Sequence, residues 1–350
     1  MSEHKYTMLA NRLRTDIQNG VYAAGARMPS ENDLIGTYGF SRQTVRQAMQ
    51  ILEDEGLAQR LRGSGTYVRD GVKTKSKSYN VGIITTYIRE YIFPAVLEGI
   101  EKEMSDHHYA SILAATNNRV DNERRVLLDF LQRPVDGLII EGTKTALPNP
   151  NIDLYRKINE MHIPMVFING FYSELVDPVY VVTDDRQGGY DACSFLLHKG
   201  RRKLCGIFKS DDMQGHERYA GMMAALIDRH VSVSDDHLLW FTTGDHAQVL
   251  ERAVLETVRH CDGVVCYNDE VAVTLMRQLE KEGMRVPEDV AVISFDNSIY
   301  AGITSVPITS LDHPKEKLGA LAAKKLINLM NGEAETSSVL SWGFSEKQST

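Results

Sequence analysis

A chain of 350 residues, 43% hydrophobic and 25% charged, is of a size and composition that suit a soluble globular protein of two or three domains. No apolar run approaches membrane-spanning length, which excludes a helical membrane protein, and no signal-peptide pattern follows Met1, so the expected location is cytoplasmic. The net charge of -8 excludes a uniformly basic nucleic-acid coat. Residues 1–79, however, hold 12 Lys or Arg against 8 Asp or Glu, a net of +4, which leaves 27 against 39, a net of -12, beyond them. A basic head on an acidic body fits DNA contact by the head alone.

The first 70 residues read as three helices and a hairpin. Tyr6, Leu9, Leu13 and Ile17 form one helical stripe, ended by Gly20. Ser30 starts a short second helix with Asp33 as its capping-box partner, and Leu34, Ile35 and Tyr38 supply the apolar side. Gly39 makes the turn before Ser41, the N-cap of a third helix in which Val45, Ala48, Met49 and Leu52 share a face. Gln43, Arg46, Gln47 and Gln50 point the other way, with Arg42 at the flank, and such a face donates to guanine edges and reads adenine. An ordinary amphipathic helix shows the same alternation, so its neighbours decide. After Gly56 the period changes. Residues 57–61 and 66–69 are strand candidates around the glycine tip Arg62-Gly63-Ser64-Gly65, which makes a winged helix-turn-helix. A nucleotide phosphate loop is the weaker reading of Gly63-Ser64-Gly65, because no helix follows it.

The stretches Arg27-Met28-Pro29-Ser30-Glu31, Gly39-Phe40-Ser41-Arg42-Gln43-Thr44-Val45-Arg46, Glu55-Gly56-Leu57 and Gly63-Ser64-Gly65-Thr66-Tyr67-Val68 resemble the GntR family of bacterial transcription regulators. The resemblance implies double-stranded operator DNA as partner. The implied contacts are Glu31, Ser41, Arg42, Gln43, Thr44 and Arg46, with Arg62 and Gly63 working from the wing. Ser41 doubles as a helix cap, and Glu31, an acid, either accepts from cytosine or orients an arginine. Residues 71–79, lysine-bearing and without apolar periodicity, read as a linker.

From residue 80 the chain alternates short apolar runs with stretches of helical period. The runs are 81–85, 111–116, 137–141, 164–169, 204–208, 263–267 and 290–295, and the helical stretches include 95–104, 186–197, 217–228, 271–281 and 313–330. This predicts right-handed βαβ units and parallel sheets in two lobes. Ligands then sit beyond the carboxyl ends of the strands. Polar and aromatic residues gather there: Tyr91 and Phe93 after the first run, Glu141 at the third, Asn169 at the fourth, Lys209, Gln214 and Arg218 after the fifth, Asn268 and Asp269 after the sixth, and Asp296 after the seventh. Rings cover the C–H faces of a sugar, and carboxylates, amides and guanidinium groups pair its hydroxyls. Any one of these positions could equally be a helix cap or a surface charge. Cys193, Cys205, Cys261 and Cys266 form no C-x-x-C pair and read as buried thiols.

Residues 80–84, 136–140, 182–185 with Gly188-Gly189, 215–221, 266–269, 287–296, 309–319 and 347–350 resemble the LacI/GalR effector-binding domain, itself similar to periplasmic sugar-binding proteins. The implied fold class is α/β: an N-terminal winged helix-turn-helix (1–70), a linker (71–79) and a two-lobed periplasmic-binding-protein-like effector and dimerisation domain (80–350) of parallel sheets flanked by helices. The resemblance places Arg218, Asn268, Asp269 and Asp296 on the effector and implies a homodimer. Arg201 and Ser294 depart from the usual Gly-His and Gly of that family. Residues 85–88, 91–94, 116–118, 121–125 and 206–209 narrow the resemblance to repressors of pentose-use genes released by L-arabinose. A different or phosphorylated sugar is the alternative. A sugar-processing enzyme is the more distant one, since nucleotide-loop, nucleophile-elbow and His-Glu-x-x-His patterns are absent from the sequence and no metal is expected.

Overall fold

The computed structural model describes residues 5–18, 20–61, 63–70, 77–89, 91–232 and 234–350. The head contains α1 (Lys5–Gln18), α2 (Glu31–Tyr38), α3 (Arg42–Asp54), β1 (Ala58–Leu61) and β2 (Gly65–Val68). The capping box at α2 is complete: the Ser30 hydroxyl accepts from the Asp33 amide at 3.2 Å, and the Asp33 carboxylate accepts from the Ser30 amide at 2.9 Å. Gly39 then closes α2 in the left-handed region, φ 66°, and sends the chain into α3. Leu9, Leu13, Ile17, Leu34, Val45, Met49 and Leu52 meet in one small core with Val68 of the wing. β1 and β2 are antiparallel, Leu61 opposite Gly65.

The body begins with β3 (Asn80–Thr85), α4 (Phe93–Asp106), β4 (Ala110–Ala115), α5 (Val120–Gln132), β5 (Gly137–Glu141), α6 (Ile152–Glu160), β6 (Met165–Ile168) and β7 (Val179–Thr183). It continues with α7 (Asp185–His198), β8 (Leu204–Lys209), α8 (Met213–Asp228), β9 (Leu238–Phe241), α9 (His246–Arg252), α10 (Val254–Val258), β10 (Gly263–Cys266), α11 (Asp269–Lys281), β11 (Ala291–Asp296) and β12 (Thr309–Asp312). The last elements are α12 (Lys315–Met330), β13 (Ser338–Leu340) and β14 (Gly343–Ser345).

Two six-stranded sheets result, ordered β13-β7-β6-β5-β3-β4 in lobe 1 and β14-β12-β11-β10-β8-β9 in lobe 2. The chain passes between the lobes three times: after β7, after β12 and after β13. The parallel expectation holds for every pair but one, since β14 runs antiparallel to β12. The register explains it. Gly343 lies opposite Asp312, the cleft end of β12, so a strand entering lobe 2 from the cleft must run away from it. β7, β9, β12, β13 and β14 lay outside the seven runs read from sequence; they are three to five residues long, and several are only half apolar.

Each sheet is covered on both faces. Val81, Ile139 and Val166 face α4 and α12, while Ile140 and Phe167 face α5 and α6. Helix pairs approach backbone to backbone: a Cβ on Gly99 would lie 2.2 Å from the Glu316 carbonyl, and one on Gly221 1.9 Å from the Arg186 carbonyl. The four cysteines are buried and unpaired. Among the described residues no helix is long and apolar enough to cross a membrane.

Candidate functional site

Between the lobes, at the carboxyl ends of the strands, lies a cavity of about 340 Å³. That suits a small polar ligand, at the low end of the roughly 300–1,000 Å³ usual for binding pockets. Tyr91, Phe93, Glu141, Asn169, Lys209, Gln214, Arg218, Asn268 and Asp296 all line it. Glu141 ends β5, and its carboxylate accepts from the Thr86 amide at 2.7 Å, the Thr86 hydroxyl at 2.6 Å and the Asn169 amide group at 2.9 Å. Burial pushes its pKa up against the lowering effect of those bonds.

Arg218, on the first turns of α8, is 2% exposed. Its Nε donates to Asp185 at 2.8 Å, one terminal nitrogen donates to the Tyr267 carbonyl, and the other lies 3.8 Å from Asp296. Burial alone would depress its pKa, but Asp185 and Asp296 outweigh burial and hold it protonated. Burial lifts Asp185 to about 6, opposed by Arg218, and lifts Asp296 against the same charge. Lys209 ends β8 and is likewise kept charged against burial by Asp212, at 2.5 Å, and Asp211, at 3.8 Å.

Asp269 is the residue of the expected set that the structure does not bring to the cavity. It sits behind the wall, fully buried, accepting from the hydroxyls of Ser294, Ser298 and Ser310 and from the Ser298 amide at 2.6 Å. All its acceptor positions are used to tie α11 to β11 and β12. Asn268 lines the cavity but also caps α11, accepting from the Val271 amide at 3.0 Å.

Side chains of the two lobes meet across the cleft. The Tyr91 hydroxyl of lobe 1 donates to Asp296 and accepts from the Asp269 amide at 3.2 Å. Asn118 donates to Asp212 at 3.2 Å and to Thr243 at 2.6 Å, and the Thr145 hydroxyl accepts from the Met213 amide at 3.0 Å. Thr243, His246 and His313 also line the cavity and were not singled out as ligand contacts from sequence. They follow β9 and β12, two strands missed in the sequence, so the strand-end rule could not find them. Among the described residues no group of three or more His, Cys, Asp or Glu is placed to hold a metal ion.

At the head, Glu31 orients arginines: Arg46 of α3 donates to it at 3.0 Å and Arg60 of β1 at 3.1 Å. Arg42 donates to Asn32 at 3.0 Å, and Gln43 is exposed on the same face. Ser41 caps α3 by accepting from the Thr44 amide at 3.2 Å, and its hydroxyl lies 2.9 Å from that of Thr44. Gly63 stands at the wing tip with φ 78°, while Arg62 lies outside the described residues. Arg60, missed in the sequence reading, joins recognition helix to wing through Glu31 and Glu53, the latter at 3.4 Å.

A family model described as bacterial regulatory proteins of the gntR family matches residues 5–68, and one described as a periplasmic binding protein-like domain matches residues 193–350. The chain is 36% identical to the arabinose metabolism transcriptional repressor of Halalkalibacterium halodurans over 95% of this chain and 90% of that one. It is 37% identical to the protein of the same name from Geobacillus stearothermophilus over 93% of this chain and 91% of that one. Among solved structures, the transcription regulator CcpA of Lactococcus lactis superposes with a TM-score of 0.69 at 27% identity, over 77% of this chain and 98% of that one. With a GntR-type reader, a two-lobed cleft and this likeness along nearly its whole length, the chain belongs to the family of the arabinose metabolism transcriptional repressors, sugar-responsive DNA-binding regulators and not enzymes.

Proposed function

We propose that this repressor acts in the cytoplasm as a homodimer on genes of carbohydrate use, and that L-arabinose releases it from its operator. Two heads bind the half-sites of a near-palindromic operator. The sugar enters the cleft, favours the closed lobes through differential affinity and so alters the spacing or freedom of the heads.

One observation carries the choice of a neutral sugar over a phosphorylated one: among the described residues, the lysine and the arginine that line the cleft are already ion-paired. Lys209 is held by Asp212 and Asp211, and Arg218 by Asp185 and Asp296. Glu141 and Glu270 add further acid to the lining. A phosphate would face surplus negative charge in a low-dielectric cleft, whereas a polyol meets acceptors for its hydroxyls and the rings of Tyr91, Phe93 and Tyr267 for its C–H faces. The names of the relatives support arabinose within that class.

The test is a calorimetric titration of the full chain with L-arabinose, other pentoses, hexoses and a pentose phosphate, alongside operator release followed by fluorescence anisotropy. L-Arabinose should bind and release operator, and the phosphate should do neither. Binding of the pentose phosphate in preference to the free sugar would reverse the assignment.

A further inference from the structure

The three passages of chain between the lobes meet around one guanidinium. The first ends at Asp185, which pairs with Arg218 at 2.8 Å. The third, between Leu340 and Gly343, carries Trp342, whose ring centroid lies 5.0 Å from the Arg218 guanidinium carbon. The second carries His313, whose ring stands edge-on to Trp342 at 5.3 Å and 81°. Phe295 closes the corner, 4.4 Å from the guanidinium and 5.3 Å from Trp342.

This seat is built for the indole. Gly188 on α7 leaves the room: a Cβ there would lie 2.9 Å from Trp342. Neither the indole nitrogen nor either His313 ring nitrogen has a hydrogen-bond partner among the described residues, so packing against the cation, not hydrogen bonding, holds the group together. A buried guanidinium over an aromatic face recovers part of its lost hydration. With Nε on Asp185 and one terminal nitrogen on the Tyr267 carbonyl, the remaining terminal nitrogen, 3.8 Å from Asp296, can donate to a sugar hydroxyl while the charge itself stays paired.

We infer that Trp342, which does not line the cavity, is a positioning residue for the sugar: it fixes the Arg218 guanidinium at the cavity wall and joins occupancy of the cleft to movement of the inter-lobe passages. The inference rests on the sugar reading above. It makes Arg218 a junction as well as a ligand group, because whatever rotates its guanidinium displaces a ring on the third passage and a carboxylate on the first.

Operator release by L-arabinose is measured on the full chain by anisotropy. Trp342→Leu should bind operator as the unaltered protein does but need roughly thirtyfold more sugar for half-release, about what loss of a desolvated cation–π contact costs. Trp342→Phe, which restores a ring, should recover most of the response; a purely structural role would instead weaken operator binding and sugar response together. A second readout uses Trp240→Phe, leaving Trp342 as the single indole: its emission should change with sugar at the midpoint of operator release. An unshifted midpoint in Trp342→Leu, or Trp342 emission constant through saturation, overturns the inference while the sugar reading stands. Should the unaltered protein respond to no sugar, both fall. If the leucine variant fails to fold, the emission measurement decides.

Discussion

Tyr91 of lobe 1 donates its hydroxyl to Asp296 of lobe 2, one of the side-chain bonds that join the lobes across the cleft. The same oxygen accepts from the Asp269 amide and lies 3.3 Å from the Phe295 carbonyl, so one phenol meets three residues of the opposite lobe. Tyr91→Phe removes these bonds and leaves the ring. A hydrogen bond to a charged partner contributes about 1.5–3 kcal/mol, so L-arabinose affinity measured by calorimetry should fall about tenfold or more, with sugar-free operator affinity unchanged. Sugar affinity equal to that of the unaltered protein would remove Tyr91 from the closing edge.

Arg46→Ala should strip the head of a DNA contact while the cleft, far off in the sequence, keeps its sugar. Operator affinity should drop by about 1–3 kcal/mol if Arg46 reads a base. Operator binding by the unaltered protein should weaken steeply as salt rises, and less steeply in the variant if the residue meets a phosphate. Anisotropy titrations at several salt concentrations separate the two cases. Loss of sugar binding in the same variant would point to misfolding instead.

The buried acids give a pH signature. Burial, with the neighbouring Asp296 charge, lifts Asp269 to about 6 from an unfolded value near 3.8. A carboxyl with a raised folded pKa binds its proton more tightly folded than unfolded. Its contribution to stability is therefore full below about pH 4 and is lost as pH rises through about 6. Asp185, lifted to about 6 by burial against Arg218, acts in the same sense and window. Denaturant unfolding of Asp269→Asn between pH 4 and 6 should show a flatter fall of stability with pH than the unaltered protein. An identical slope in the two proteins would mean that Asp269 does not titrate there.

Gly221→Ala tests the helix pair beneath the cleft. The new methyl would lie 1.9 Å from the Arg186 carbonyl and 2.6 Å from the Tyr190 amide, so α7 and α8 must separate. Overpacking of this kind costs about 1–3 kcal/mol. The denaturation midpoint should fall accordingly, and a midpoint that did not move would show that the pair slides freely.

The head was legible almost residue by residue, because its caps, glycine turn and apolar stripes are local signals: Ser30, Gly39 and Ser41 do in the structure what their chemistry dictates in sequence. The parallel strands were legible where both faces are buried, as at Gly137–Glu141, which matches the sequence reading to the residue. They were illegible where a buried strand is short and mostly polar, as at Thr309–Asp312, whose one large apolar side chain is Leu311, and with that strand went His313. Asp269 shows another limit. Spacing put it at a strand end, but Ser294, noted only as a departure from family habit, turns out to donate to it and help draw it into the interior. Whether an acid after a strand faces ligand or core depends on partners such as Ser298 and Ser310, 29 and 41 residues away, which no local pattern reveals.

Neither six-stranded sheet is contiguous in sequence. Lobe 1 needs Ser338–Leu340 for its edge and Lys315–Met330 for one of its covering helices, while lobe 2 waits for Gly343–Ser345. During synthesis every element of the operator reader has been translated by Val68, about 270 residues before the sensor can be finished. A product broken off before residue 338 would thus keep the reader's own elements but neither a finished cleft nor, if the body pairs the two heads, the means to present both of them to an operator, so premature stops should free the target genes even where no inducer is present.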